Sequence, residues 1–412
     1  MNRRERVLAA IEHREPDRVP VDLGATPSSS ISAVAYSNLV EYLGWTEPTR
    51  VVDVVQQVVQ PSDAILDRYG VDVIDLGRAF NDTPGYWDTY TLSTGAQAEK
   101  PAWFRPVRTP SGNYECFDAD GDRLAMMPVG ATFFDQTYFP YLDGYPDTFA
   151  DLDRAMSKVH WAAYVQSPWD LAPADPDFWT TLRAKTIELR NSTDRAIMIT
   201  AGCNLFEWGT FLRRIDNFLV DLLLEPEKVE ELLDQLLERH LASLARICES
   251  VGDIVDLIRF GDDLGTDTGP FMKPETYREL FKPRHAQLCD FVHQHSSMHT
   301  FLHSCGSINR VLPDLIEAGV EVINPVQTSA RDMEAERLKR EFGADITFWG
   351  GGCDTRHVLN HGTPQEVRDH VKENLETLAP GGGFVFNTVH NIMPDVPPAN
   401  IEAMFETVEQ YG

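Results

Sequence analysis

His303-Ser304-Cys305-Gly306 and Gly350-Gly351-Gly352-Cys353-Asp354 set one imidazole and two thiols beside glycines, each at the end of a hydrophobic run. Imidazole and thiolate are donors that suit zinc, and three protein ligands leave a fourth coordination position open for chemistry. His303 and Cys305 are two residues apart, and on a β-strand such residues point to one face. One ion can therefore take both, with Cys353 the expected third ligand. Polar residues recur at equivalent places: Asn204, Glu207 and Trp208 after residues 196–200, Asp262 and Asp263 after 254–260, Asn324 and Gln327 after 320–323, and His390 after 383–387. Glu207, Asp262, Asp263 and His390 are the candidate acids, bases or metal-site carboxylates. Asn204, Trp208, Asn324 and Gln327 are candidate substrate contacts. The Asp262-Asp263 pair reads equally as a helix N-cap, and Cys203 reads as packing in a tight turn. The glycines at 350–352 read as a tight turn beside the pocket rather than a phosphate cradle, because no lysine adjoins them.

These residues need a scaffold that gathers strand ends. Short apolar runs at 19–23, 71–76, 196–200, 254–260, 298–302, 320–323, 346–349 and 383–387 read as strands. Helical spacing separates many of them, at 226–250, 274–294, 308–318, 331–342, 364–378 and 398–410. Residues 3–14, stopped by Pro16, read as a leading helix, with further helices at 31–43 and 62–69. Eight strands alternating with helices predict an α/β fold, a (β/α)8 TIM-type barrel, whose active site lies at the C-terminal strand ends. One barrel domain over 1–412 is expected, with an N-terminal helical extension. The aromatic-rich, turn-rich stretch 84–141 is expected to form a β-rich insertion within it. There Asp118-Ala119-Asp120-Gly121 reads as a hairpin turn rather than a calcium loop, since the downstream glutamate is missing.

Composition narrows the partners. The 412 residues include 36 basic and 64 acidic ones, a net charge of −28, which disfavours nucleic acid and anionic membranes. No run of about 18 apolar residues predicts a membrane span. The N-terminus has no apolar stretch of the signal-peptide kind. Six cysteines scattered along a long chain fit a reduced, cytoplasmic setting with thiols free to bind metal.

Five stretches carry a family resemblance: Gly261-Asp262-Asp263-Leu264-Gly265, His303-Ser304-Cys305-Gly306, Trp349-Gly350-Gly351-Gly352-Cys353-Asp354-Thr355, His361-Gly362-Thr363-Pro364-Gln365-Glu366-Val367 and Asp395-Val396-Pro397-Pro398-Ala399-Asn400-Ile401. Together they resemble the uroporphyrinogen decarboxylase superfamily, most closely its cobalamin-linked methyltransferase branch. The decarboxylases carry an arginine-rich stretch after the first strand, where this chain has Gly24-Ala25-Thr26-Pro27-Ser28-Ser29-Ser30. In the methyltransferases a His-x-Cys pair and a distant cysteine hold zinc. The pair is matched by His303 and Cys305. The last cysteine generally comes from the following strand end, where this chain has Gly381-Gly382-Gly383, so Cys353 is expected to substitute for it.

The resemblance implies a zinc-dependent methyltransferase working with cobalamin. The chain lacks the Asp-x-His-x-x-Gly cobalamin-ligating motif, Asp354-Thr355-Arg356-His357 having the wrong spacing. A separate corrinoid protein is therefore the expected partner, with a small methylated ether, amine or thioether as substrate. A second copy of the chain, as a homodimer, is a further candidate partner. The alternatives are a metal-independent lyase of the decarboxylase type and a non-catalytic binding member of the superfamily.

Overall fold

A computed structural model describes residues 1–412. Seven parallel strands form its central sheet: β1 (Val73–Asp75), β2 (Ala196–Gly202), β3 (Leu257–Gly261), β4 (His299–His303), β5 (Val322–Asn324), β6 (Thr347–Trp349) and β7 (Phe384–Val385). They lie side by side in chain order. Residues 19–23 fill the gap between β7 and β1. Phe386 N donates to the Pro20 carbonyl at 2.8 Å, Asp22 N to the Phe386 carbonyl at 2.9 Å, and Asp72 N to the Val21 carbonyl at 2.8 Å. The sheet thereby closes as a TIM-type barrel. This eighth stave forms one bridge, Val21 to Phe386, rather than the ladder expected from its sequence. Pro20 has no N–H to extend it.

Side-chain alternation separates the barrel interior from the helix-facing surface. Val73, Ala196, Met198, Leu257, Phe301, Val322, Trp349 and Val385 form one buried interior cluster. Val7, Ala10 and Ile11 of the leading helix (Arg3–Ile11) complete it, so that helix plugs the N-terminal end of the barrel. Asn2 and Glu5 cap the helix reciprocally.

Asp72 fastens this end. It is 0 % exposed, and its carboxylate accepts from Arg6 Nη1 at 2.7 Å, from Arg18 Nη1 and Nη2 at 2.8 Å each, and from Val21 N at 2.8 Å. One side chain thus ties the plugging helix, the bridging stave and β1 together.

Several helices escaped the sequence pattern, among them Phe178–Ser192, Phe206–Arg213 and Ile215–Leu224. Glu207 and Trp208, expected beyond the strand at 196–200, belong to the second of these. Between β1 and β2 the chain forms antiparallel strands: Trp87–Thr91 with Gln97–Pro101, then a four-stranded sheet built from 107–108, Tyr114–Phe117, Arg123–Met127 and 135–136. At its Asp118–Asp122 turn the cation is a side chain. Lys158 Nζ lies 3.0, 2.9 and 2.6 Å from Asp118, Asp120 and Asp122. No helix is long and apolar enough to cross a membrane, and all six cysteines are free thiols.

Candidate metal centre

β4 ends at His303, whose interior position follows from Phe301 two residues earlier. Cys305 lies just beyond, on a loop that must pass very close to the loop after β3. A Cβ on Gly306 would stand 2.4 Å from the Gly265 carbonyl carbon, and Gly306 has φ +87°, so glycine alone fits. The Cys305 Sγ approaches His303 Nε2 to 3.3 Å. His390, from the loop after β7, completes the group. The ligand atoms of His303, Cys305 and His390 all lie within 4.8 Å of one another, and the two imidazoles meet edge to face at 5.7 Å.

Hydrogen bonds decide which nitrogen each imidazole offers. The Asn324 amide nitrogen donates to the Trp349 carbonyl at 2.9 Å, which turns its oxygen toward His303 Nδ1 at 2.7 Å. Nδ1 therefore carries the proton, and the Nε2 lone pair faces Cys305. Ser28 Oγ also donates to that Asn324 oxygen, at 3.2 Å. At His390 the same pattern recurs, Nδ1 facing the Asn391 amide oxygen at 2.8 Å. Orienting an imidazole through its second nitrogen is how metal-binding histidines are held.

Electrostatics match this protonation. Burial, then the nearby Arg259 charge, drives His303 down to about 3, so the ring is neutral at ordinary pH. Burial also lowers His390. The Cys305 thiol is pushed well up by burial and by the Asp263 and Glu207 carboxylates. Glu207 is raised well above the carboxylate range by burial and by Asp263 and Asp262.

Cys353, the expected third ligand, does not join the cluster. Gly350–Gly352 let the chain fold back along the segment after β7, Gly352 N donating to the Asn387 carbonyl and Val389 N to the Cys353 carbonyl, both at 2.9 Å. This pairing turns the Cys353 side chain into the main apolar core, 0 % exposed, with the Asp354 carbonyl 3.9 Å away. Its sulfur therefore stands apart from the group that His303, Cys305 and His390 form. Cys353→Ser is expected to leave metal content unchanged. It should cost about 1–3 kcal/mol of stability, read from the denaturation midpoint, because a hydroxyl enters an apolar site. Gly381–Gly383, read from the sequence as the strand end that follows Cys353, lie instead at the opposite end of the barrel. Gly382 packs on the Arg14 backbone and Gly383 on His13.

The remaining candidates divide between the cavity and its walls. Asp262 is 0 % exposed and fully committed: it accepts from Leu205 N at 3.2 Å, Phe206 N at 2.9 Å and Glu207 N at 2.8 Å, and contacts His285 Nε2 at 3.1 Å. It caps helix Phe206–Arg213, not the one after it in sequence. Asp263 accepts from Cys305 N at 2.8 Å and lies 3.6 Å from His303 Nε2. Gln327 ties Gly306 N (2.9 Å) to Asp267 (2.9 Å), and Asn324 orients His303, so both position the ligand loop rather than stand free for substrate. Asn204 donates to the Glu207 carboxyl group and lies across β3, where a Cβ on Gly261 would meet its amide at 2.3 Å. Trp208 is half-buried and packs edge to face on Phe211.

Three inward-facing polar residues were missed: Asp75, Thr200 and Arg259, each two residues beyond an interior apolar one on its strand. Strand alternation carried the signal, since a charged residue in phase with buried apolar ones must enter the barrel. Burial raises Asp75 to about 7.

Comparison with known proteins bears on this geometry. A uroporphyrinogen decarboxylase of Pseudoalteromonas translucida is 41 % identical over 74 residues, 18 % of this chain and 20 % of that protein. Methylcobamide:CoM methyltransferase MtaA of Methanosarcina barkeri is 25 % identical over 201 residues, 48 % of this chain and 53 % of that protein. The chain thus spans about half or less of the length of these curated relatives. Among solved structures, a methyltransferase from Methanosarcina mazei shares the fold, with a TM-score of 0.59 at 16 % identity over 100 % of this chain and 99 % of that one. The family model for uroporphyrinogen decarboxylase (URO-D) matches residues 200–411, just over half of the chain and the part that carries His303, Cys305 and His390, so the chain belongs to the URO-D family.

Proposed function

We propose that this protein transfers a methyl group between a small methylated compound (ether, amine or thioether) and a corrinoid held on a separate protein. It does so with zinc held by His303, Cys305 and His390. The observation that carries the reading is the three-donor cluster at the barrel mouth, with both imidazoles fixed through Nδ1. The donors fit the ion. Zinc bonds of about 2.0–2.3 Å in tetrahedral array separate ligand atoms by roughly 3.3–3.6 Å, and Cys305 Sγ lies 3.3 Å from His303 Nε2. Similarity to a methylcobamide-dependent methyltransferase over about half of the chain supports the reaction class.

When bound, zinc would supply Lewis acidity, taking charge from a departing heteroatom or holding a thiol as thiolate. The chain's own residues supply the rest. Neutral His303 and His390 present lone pairs, and Cys305 yields its proton on metal loading. As the methyl carbon leaves its heteroatom, the bonding pair stays with the heteroatom. Glu207, kept protonated by its buried, carboxylate-rich surroundings, gives it a proton. Demethylation is therefore expected to slow as pH rises through the elevated Glu207 pKa, because only the protonated acid can donate. Glu207→Gln should lower the rate about 100-fold, within the usual range for a general acid, and remove that alkaline limb from the pH–rate profile.

The decisive experiment incubates metal-loaded protein with reduced corrinoid protein and a panel of methyl ethers, amines and thioethers. Methylation is read from the corrinoid's visible absorbance and from the demethylated product. Absence of both across the panel counts against the reading. Family membership favours one competitor, a metal-independent lyase, which would keep its activity after chelation and in Cys305→Ala.

A further inference from the structure

We propose that the barrel mouth contains an anion subsite built on Arg259, which anchors the carboxylate of a small-molecule substrate beside the His303–Cys305–His390 cluster. As a substrate anchor it rests on the methyl-transfer reading. As an anion subsite it stands on the geometry of Arg259.

Leu257 belongs to the interior cluster, so Arg259, two residues on along β3, also enters the barrel. Its Nε is shielded from solvent and has no hydrogen-bond partner. Thr200 is its registered neighbour on β2, and the Thr200 Oγ1 is shielded and unpartnered too. Two adjacent inward positions therefore present unmet polar groups to one space. Buried polar groups are almost always paired, so two shielded, partnerless atoms side by side are an exception that a ligand would relieve.

The neighbouring carboxylates do not meet that need. Asp53, Glu207 and Asp263 act on Arg259 through space, but each is engaged elsewhere. Asp53 accepts from Val55 N, Gln56 N and Gln56 Nε2, each at 2.9 Å. Asp263 accepts from Cys305 N, and Glu207 accepts from Asn204. A planar guanidinium fork suits a carboxylate, which it grips through two parallel hydrogen bonds.

The location gives the subsite its use. Arg259 is in register with Phe301, and the next inward position, Gly261, with His303. Its backbone thus lies about 6.6 Å below the ligand level at two residues of strand rise. An anion on Arg259 would direct the remainder of a small molecule up toward Cys305 and His390. In a protein of net charge −28, capture of an anion requires such a local cation.

The test is a calorimetric titration of the metal-loaded protein with acetate and with its neutral isostere acetamide. Acetate should bind saturably and acetamide at least tenfold more weakly. Arg259→Met should weaken acetate at least tenfold at unchanged metal content, with Arg259→Lys intermediate because it keeps the charge and loses the fork. His303→Ala should still bind acetate, which separates this subsite from the metal reading. Should that variant fail to bind acetate while Arg259→Met binds it normally, the anion sits on the metal and the proposal is wrong. Equal binding of acetate and acetamide, or no saturable binding of either by the wild type, also overturns it.

Discussion

His303→Ala is expected to leave the protein without zinc after dialysis and to reduce methyl transfer to background. The imidazole is the central donor. It stands 3.3 Å from the Cys305 sulfur and edge to face with His390, and its lone pair is aimed by Asn324. Removing it leaves two donors, too few to retain the ion against dilution. The partner that only orients the ring sets a lower bound. Asn324→Leu should weaken metal binding by about 10–100-fold, the usual cost of losing such a contact, and losing the ligand itself should exceed that. Metal content measured alongside circular dichroism reads both effects. A His303→Ala protein with wild-type metal stoichiometry would sink the zinc assignment.

Asp72→Asn is expected to lower stability by about 3–5 kcal/mol, the cost of breaking a buried ion pair and leaving charge uncompensated. Its carboxylate holds two guanidinium groups and a backbone N–H at a point where three separate elements meet. An amide keeps one acceptor oxygen but turns a donor toward two arginines. Arg6 retains Asp17 as a partner at 2.7 Å, while Arg18 retains only backbone carbonyls. The shift should appear as a lower denaturant midpoint. Glu12→Gln, which removes an exposed partner of Arg14, serves as the control and should change stability by less than about 1 kcal/mol. Equal midpoints for the two variants would show that Asp72 does not fasten the barrel.

Strand and helix periodicity carried far in this chain. Helix Pro364–Leu378 matches its expected span, helped by a Thr363 cap and a proline in the first turn. The strands ending at Leu302 and Ile323 in the sequence pattern each run one residue further, so that His303 and Asn324 are the last residues of their strands. His303 and Cys305 were legible as a pair because strand alternation is a local rule. Arg259 was equally legible by that rule, yet it was hidden inside a run read as apolar. The helix Phe206–Arg213 was not legible from its own start, because its cap is Asp262, supplied from a distant part of the chain.

The amino-acid order alone determined the alternating α/β architecture, the end of the barrel where polar chemistry collects, and two of the three members of the donor cluster. Only the tertiary structure decided that His390, not Cys353, stands with them. Both residues follow an interior strand, and nothing local distinguishes them. The difference arises where Gly350–Gly352 fold back against the segment after β7, a pairing between distant residues that buries one side chain in apolar packing and leaves the other at the mouth. Alternation propagates along a strand, but past its last residue the direction of a side chain is set by the chain it meets.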